Sequence, residues 1–215
     1  MGNLIKEKLL FAGAIFWVLT FSITLTLILA IPLFYLFIPL EHLDSLSNLT
    51  RAALIHNFNQ LMNYLLNPFV GQLKMTDFPS SKDGLQHFRE VKHLFLFVIA
   101  VFILTTPIFV HFVQKRLHLI YRRGILAAML VPIFMGIIAS LIGFDNFFIG
   151  FHEVLFRDNT WLFDPTTDPI INVLPENYFM WTMIMFVIIY EIVWLILYLR
   201  SMFGFNEQKK KILSK

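Results

Sequence analysis

Histidines set where charged sequence gives way to apolar sequence are the residues whose types could do chemistry. In "FPSSKDGLQHFREVKHLFLF", residues 78 to 97, Ser80, Lys82, Asp83, His87, Arg89, Glu90 and Lys92 crowd against an apolar run that opens at Leu94 and reaches Val110. A second histidine, His152, stands in "FDNFFIGFHEVLFRDNTWLFDP", with carboxylates on both sides. An imidazole with an ordinary pKa near 6.5 can take or give a proton around neutrality, so each is a candidate general acid–base. Glu90 follows His87 by three residues, shares its face of a helix and is placed to orient it. The bland alternative makes both histidines interfacial residues with a wet polar tip and no chemical task. The seven aromatics from Phe144 to Phe163 also have two readings: an aromatic belt, or the lining of a pocket for acyl chains.

Other chemistry falls away. With no cysteine there is no thiol nucleophile, disulfide or thiolate metal site. "FHEVLF" has no second histidine four residues after the first, so a zincin helix fails, and no G-x-S-x-G is present. No metal and no cofactor is expected. His42, His56, His111 and His118 read as structural. Glu191 lies inside an apolar run, where acids are functional candidates by default. Pairing with a loop arginine, or protonation, is the simpler reading.

The elements that would carry these residues follow from hydropathy. Charged residues make up 14% of 215 and hydrophobic ones 58%, with a mean hydropathy of +0.72. A soluble domain carries about 25% charged residues, so this is a membrane protein. The uncharged run from Leu9 to Leu40 is too long for the core of a cleavable signal peptide and reads as an anchor. Four spans are expected, at about 10–38, 93–113, 124–144 and 178–199, in a single membrane domain over residues 1–215. Two longer segments, 41–92 and 145–177, lie between them.

The positive charge and the pI near 9.2 do not mark a nucleic-acid partner, because the basic residues sort by membrane side. One side holds Lys6, Lys8, Lys115, Arg116, Arg122, Arg123, Arg200, Lys209, Lys210, Lys211 and Lys215 against Glu7 and Glu207. The other holds six cations and eleven acids. The expectation is an all-α membrane protein of four transmembrane helices, both termini cytoplasmic, with an extracellular cap of helices and loops.

Within the cap, Leu46, Leu49, Ala53, Leu54, Phe58, Leu61 and Leu65 recur at a helical period that ends at Asn67-Pro68, predicting an amphipathic helix on or near the outer surface. Ser80 or Ser81, after Pro79 and before Asp83, predicts the start of a helix that runs on into the second span. "GIIASLIG" in the third span puts Gly136 with Ser140 and Ala139 with Gly143, a pattern for close helix packing. Pro32, Pro107 and Pro132 lie inside spans, where neighbours can satisfy the carbonyls they free.

Three segments, "HNFNQLMNYLLNPF", "FPSSKDGLQHFREVKHLF" and "FHEVLFRDNTWLFDPTTDPIINVLPENYF", in that order among four spans, resemble the lipoprotein intramolecular transacylases, small integral membrane proteins of Gram-positive bacteria. The resemblance covers nearly the whole chain and is most specific at residues 87–92 and 151–176. Glu90 stands where relatives often have Asp, and Phe58 where Tyr is common.

The resemblance implies a bacterial plasma-membrane enzyme whose catalytic residues are His87 and His152, at the boundary of cap and membrane. Glu90, Asn57, Tyr64 and Asp168 are the implied supporting residues; Phe88, Phe148, Phe151 and Trp161 would line the substrate. The substrate would be a diacylated lipoprotein in the outer leaflet, met within membrane lipid. The free α-amine of its N-terminal cysteine attacks the sn-2 ester of the S-diacylglyceryl group through an eight-membered ring, leaving a lyso-lipid hydroxyl. The nucleophile belongs to the substrate, so the enzyme needs neither serine nor cysteine. The competing class is a non-enzymatic membrane partner that presents its outer cap. A small transporter has only Glu191 to offer.

Overall fold

The computed structural model describes the backbone of residues 2–213 and the side chains of residues 3–203. Glu207, Lys209, Lys210, Lys211 and Lys215, counted above for sidedness, lie outside the side chains described. The described residues form seven α-helices and no strand: α1 (Gly2–Leu40), α2 (Leu43–Ser47), α3 (Arg51–Leu66), α4 (Lys82–Gln114), α5 (Arg122–Ile142), α6 (Phe144–Leu155) and α7 (Glu176–Leu213), with short 3-10 turns at Leu117–Leu119 and Pro169–Val173. Four of them, α1, α4, α5 and α7, are long and apolar enough to cross a membrane. Their bare side chains, Phe16, Leu104, Leu130, Phe134 and Leu141 among them, suit acyl chains rather than water.

The chain divides into two compact units, and each of the four long helices contributes to both. The first comprises residues 1–25, 99–138 and 185–215. Its core gathers Val18, Ile125, Tyr190, Trp194 and Leu197, with Ala14, Phe112 and Leu117 beside them. Trp17 stacks on Phe109 with ring centres 3.7 Å apart, and its indole N–H donates to Thr106 Oγ1 at 3.0 Å. A Cβ on Gly13 would meet Ile108 Cγ2 at 2.5 Å, so α1 and α4 approach as closely as glycine permits.

The second unit, residues 26–98 and 139–184, holds the larger core. Phe34 of α1 stacks on Phe58 of α3 at 3.9 Å, and Tyr178 of α7 meets both edge-on. Thr50 caps α3, its hydroxyl accepting from the Ala53 N–H at 3.2 Å, and Asn67-Pro68 ends it. The predicted cap helix is therefore interrupted. Asn48, at φ 55°, breaks it into α2 and α3, and Leu46 is left exposed. Nor does α3 float on the surface, since Leu54, Asn57, Phe58, Leu61, Met62, Tyr64 and Leu65 are all buried.

Hydrocarbon contains no water to satisfy the carbonyl that a proline frees four residues back, and two of the four helix prolines, though not Pro32 or Pro107, have a side-chain donor for it among the described residues. Pro132 frees the carbonyl of Ala128, and the Tyr190 hydroxyl donates to it at 3.2 Å. Pro39 frees that of Tyr35, and the Arg51 guanidinium donates to it at 3.3 Å. The small-residue pattern in α5 does something else: Gly136 has no heavy atom within 4 Å of where a Cβ would stand, and Ser140 and Gly143 are exposed. It is not a packing seam among the described residues.

A cap and a core aromatic should differ in weight. Thr50→Ala is expected to cost about 1 kcal/mol, and Phe58→Ala about 3–5 kcal/mol. Reversible unfolding in mixed micelles checks both, and equal losses would contradict this account of α3.

Candidate active site

His87 is positioned from the first turn of α4. Ser81 caps the helix, its hydroxyl accepting from the Gly84 N–H at 2.9 Å, while Asp168 Oδ1 accepts from the Ser81 N–H at 2.8 Å. Asp168 is only 3% exposed, and its other oxygen takes the Thr167 hydroxyl at 3.0 Å. A Cβ on Gly84 would lie 2.1 Å from Asp168 Oδ1, so the carboxylate reaches the helix end only because residue 84 is glycine. An anion at a helix N-terminus also meets its positive dipole end. At 33 residues α4 is about 50 Å long. A bilayer's hydrocarbon is about 30 Å thick. The helix is thus longer than a span requires, and its charged residues, with His87 among them, cluster in the turns before Leu94.

His152 comes from α6. Gly143, at φ +84°, turns the chain out of α5, and α6 begins at once. The two imidazoles, 65 positions apart in sequence, lie with ring centres 6.0 Å apart. Phe156 stands against both, at 4.7 Å from His87 and 5.7 Å from His152. Phe163 meets His87 edge-on at 5.5 Å. Phe148 and Trp161 lie 4.1 and 4.9 Å from His152, and Phe151 5.8 Å from it. Phe88 is buried beside Phe163 at 5.2 Å.

This enclosure sets the protonation states. Burial above all, and then the neighbouring His152, pull His87 down to about 4, with Asp158 opposing the fall. Burial also holds His152 below its ordinary value, partly offset by the Phe148 carbonyl. His152 Nδ1 lies 2.8 Å from that carbonyl oxygen. A carbonyl can only accept, so Nδ1 carries the hydrogen and the neutral ring presents Nε2 as a lone pair. His87 is 7% exposed, and its Nδ1 has no hydrogen-bond partner among the described residues.

The other expected residues fall in different places. Glu90 makes no hydrogen bond to His87; its Oε1 accepts from Gln86 at 3.2 Å. The acid coupled to His87 is Asp158, whose carboxylate takes the Gln86 amide at 2.8 Å and the Thr160 hydroxyl at 2.6 Å. Asn57, fully buried, spans the Ala53 carbonyl and both the carboxylate and N–H of Asp77. Tyr64 carries the Lys92 ammonium over its ring at 4.5 Å. Asn57 and Tyr64 thus hold the 67–81 loop rather than meeting either imidazole. Phe156, Phe163, Asp158 and Gln86 are the additions. The aromatic density of residues 144–163 could have flagged the first two, whereas Asp158 reaches Gln86 across 72 positions with no local signal. Among the described residues no three His, Cys, Asp or Glu side chains group as a metal site. Glu191 Oε1 is buried with no hydrogen-bond partner among the described residues, so of the two readings, an arginine partner or protonation, the first is not seen at this oxygen.

The model of the family described as lipoprotein intramolecular transacylase Lit matches residues 8–179. Among solved structures, the in meso structure of the membrane integral lipoprotein intramolecular transacylase Lit from Bacillus cereus is similar, with a TM-score of 0.79 and 24% identity over 99% of this chain and 100% of that one. Two structures of the same Bacillus cereus protein with one histidine substituted are also similar. One has a TM-score of 0.76 at 24% identity, over 97% of this chain and 95% of that one. The other has 0.77 at 22%, over 95% and 96%. No curated protein matches. At these identities the likeness speaks to the fold.

The histidines make stability depend on pH. A group whose folded pKa lies below its unfolded one binds fewer protons when folded, so its stabilisation is full above about 6.5 and is lost as pH falls toward about 4. The unfolding midpoint in micelles should drop across that window, and His87→Gln should flatten the drop. An unchanged slope in that variant would show that His87 is not held neutral.

Proposed function

Because the chain belongs to the lipoprotein intramolecular transacylase family, we propose that it moves the sn-2 acyl chain of an S-diacylglyceryl group to the α-amine of a lipoprotein's N-terminal cysteine. The amine nitrogen bonds to the ester carbonyl carbon, and the bond from that carbon to the glyceryl oxygen breaks. The products are an amide and a free hydroxyl, with no change in mass. One proton leaves the nitrogen and one arrives at the glyceryl oxygen, so the residues need only move it.

The observation that carries this reading is the meeting of two neutral imidazoles, one of fixed tautomer, within a single aromatic enclosure. His152 Nε2 takes the amine proton and returns it to the departing oxygen. His87, held neutral by burial, donates an N–H hydrogen bond to the oxyanion without giving up its proton. Phe148, Phe151, Phe156 and Trp161 exclude water and press a flexible lipid toward the cyclic geometry, where positioning can contribute up to about 7–11 kcal/mol. Phe163 and Phe88 wall the His87 side. Asp158 and Gln86, rather than Glu90, set the field around His87. Asp168 fixes its depth. The surplus of lysine and arginine at the termini and the 114–123 turn supports a cytoplasmic side there, with α2, α3 and α6 on the extracellular face of a bacterial plasma membrane.

Expression in a bacterial host lacking this activity, followed by fragmentation of one lipoprotein's N-terminal peptide, tests the proposal. The chain should convert the diacyl form to the lyso form. His152→Ala and His87→Ala should each reduce conversion by about 100-fold or more. Undiminished conversion by either variant, expressed to the same level, would remove that histidine from the mechanism.

A further inference from the structure

The turn between α3 and the 71–81 loop lies at a depth that its composition does not announce, and two register marks fix that depth. Asn67 borders a groove of about 320 Å³ with Ile31, Asn59, Met62, Asn63 and Leu66. The end of α3 therefore lies beside Ile31, nine residues before α1 ends at Leu40, or about 13 Å along the helix. On α4, Lys92 stands two residues before the apolar run. Its ammonium donates to the carbonyl of Asn67 at 2.9 Å and to that of Val70. Ile31 falls within the expected first span and Lys92 just before the second, so the two marks bracket the outer edge of the hydrocarbon.

Between those two carbonyls stands Phe69, 94% exposed, the barest large apolar side chain described. The turn that presents it is well tied. Asn67 Oδ1 accepts from the Phe69 N–H at 3.0 Å, the Val70 N–H donates to the Asn67 carbonyl at 3.3 Å, and Pro68 restricts the backbone between them. An ordered turn offering one aromatic ring to water would gain nothing from it. At this depth the ring meets acyl chains instead.

We propose that the Asn67–Val70 turn is a lipid anchor, with Phe69 set among the acyl chains just beneath the headgroups. Backbone outside a helix is tolerated at that depth only when its polar groups find partners within the protein. Lys92 supplies them: its ammonium, 7% exposed, covers the two carbonyls flanking Phe69, and the Tyr64 ring covers the ammonium. The partner is the bilayer rather than a second protein, because the turn offers one ring and no broad apolar patch, and its depth matches the lipid boundary. The anchor holds the near end of a loop whose far end, Ser81, opens the helix that carries His87. It is independent of the reaction proposed above.

The chain has no cysteine, so Phe69→Cys accepts one environment-sensitive fluorophore, and Asp44→Cys on exposed α2 provides an aqueous reference. In vesicles of phosphatidylcholine and phosphatidylglycerol, the label at 69 should emit to the blue of the label at 44. It should lose emission to lipids carrying a doxyl group near the top of the acyl chain, and not to iodide in the water. Emission like that at 44 with iodide quenching would overturn the proposal. Quenching by neither would do the same, since the label would then be covered by protein.

Discussion

One buried carboxylate ties the two halves of the histidine enclosure together. Asp168 lies just past the loop that brings Phe156, Trp161 and Phe163 to the imidazoles, and it receives the Ser81 N–H at the start of α4. His87 is six residues further on. The helix and the loop therefore share one fixed point, close to the groups they must align. The contact depends on an absent atom, because any side chain at residue 84 would occupy the carboxylate's place. Asn57 and Gln60 do similar work further back. They hold Asp77 and Thr76 against α3 with side-chain amides that mimic backbone partners, so a long loop has few free polar groups.

The enclosure has a second constraint, that both rings be uncharged. Two imidazolium ions with centres 6.0 Å apart, walled by aromatic rings, would repel each other and lose their hydration. The Phe148 carbonyl resolves the tautomer of one ring, and Asp158, exposed and outside the aromatic wall, moderates the other. An acid closer to His87 would favour the charged ring and defeat the burial. Glu90 is turned toward Gln86 instead, and Gln86 in turn bridges to Asp158.

Much of this architecture was legible in the sequence, and the exceptions share a cause. Hydropathy alone marked the four long helices, because a bilayer imposes the same requirement on every residue at a given depth. Pro79-Ser80-Ser81 marked the start of α4 within a residue, because capping is local chemistry. The interruption at Asn48 was missed, since the apolar period runs through it unbroken and only the left-handed residue breaks the helix. Gly136 and Ser140 had the spacing of a packing seam but, among the described residues, nothing packed against Gly136. Among the site residues, His87 and His152 stood out by type. Asp158, Gln86 and Phe163 did not, because their roles arise only where the chain after α6 folds back. The contacts of Asn57 with Asp77 and of Tyr64 with Lys92 were not legible for the same reason.

Helix α6 buries no residue completely, although it carries His152. Val154 and Leu155 face outward, and Val154 is 85% exposed. Half the seat of this helix is thus left to its surroundings, and the apolar outer face suits acyl chains better than water. The spacing of the two rings is therefore held, on the α6 side, by a helix that the protein seats along one face only.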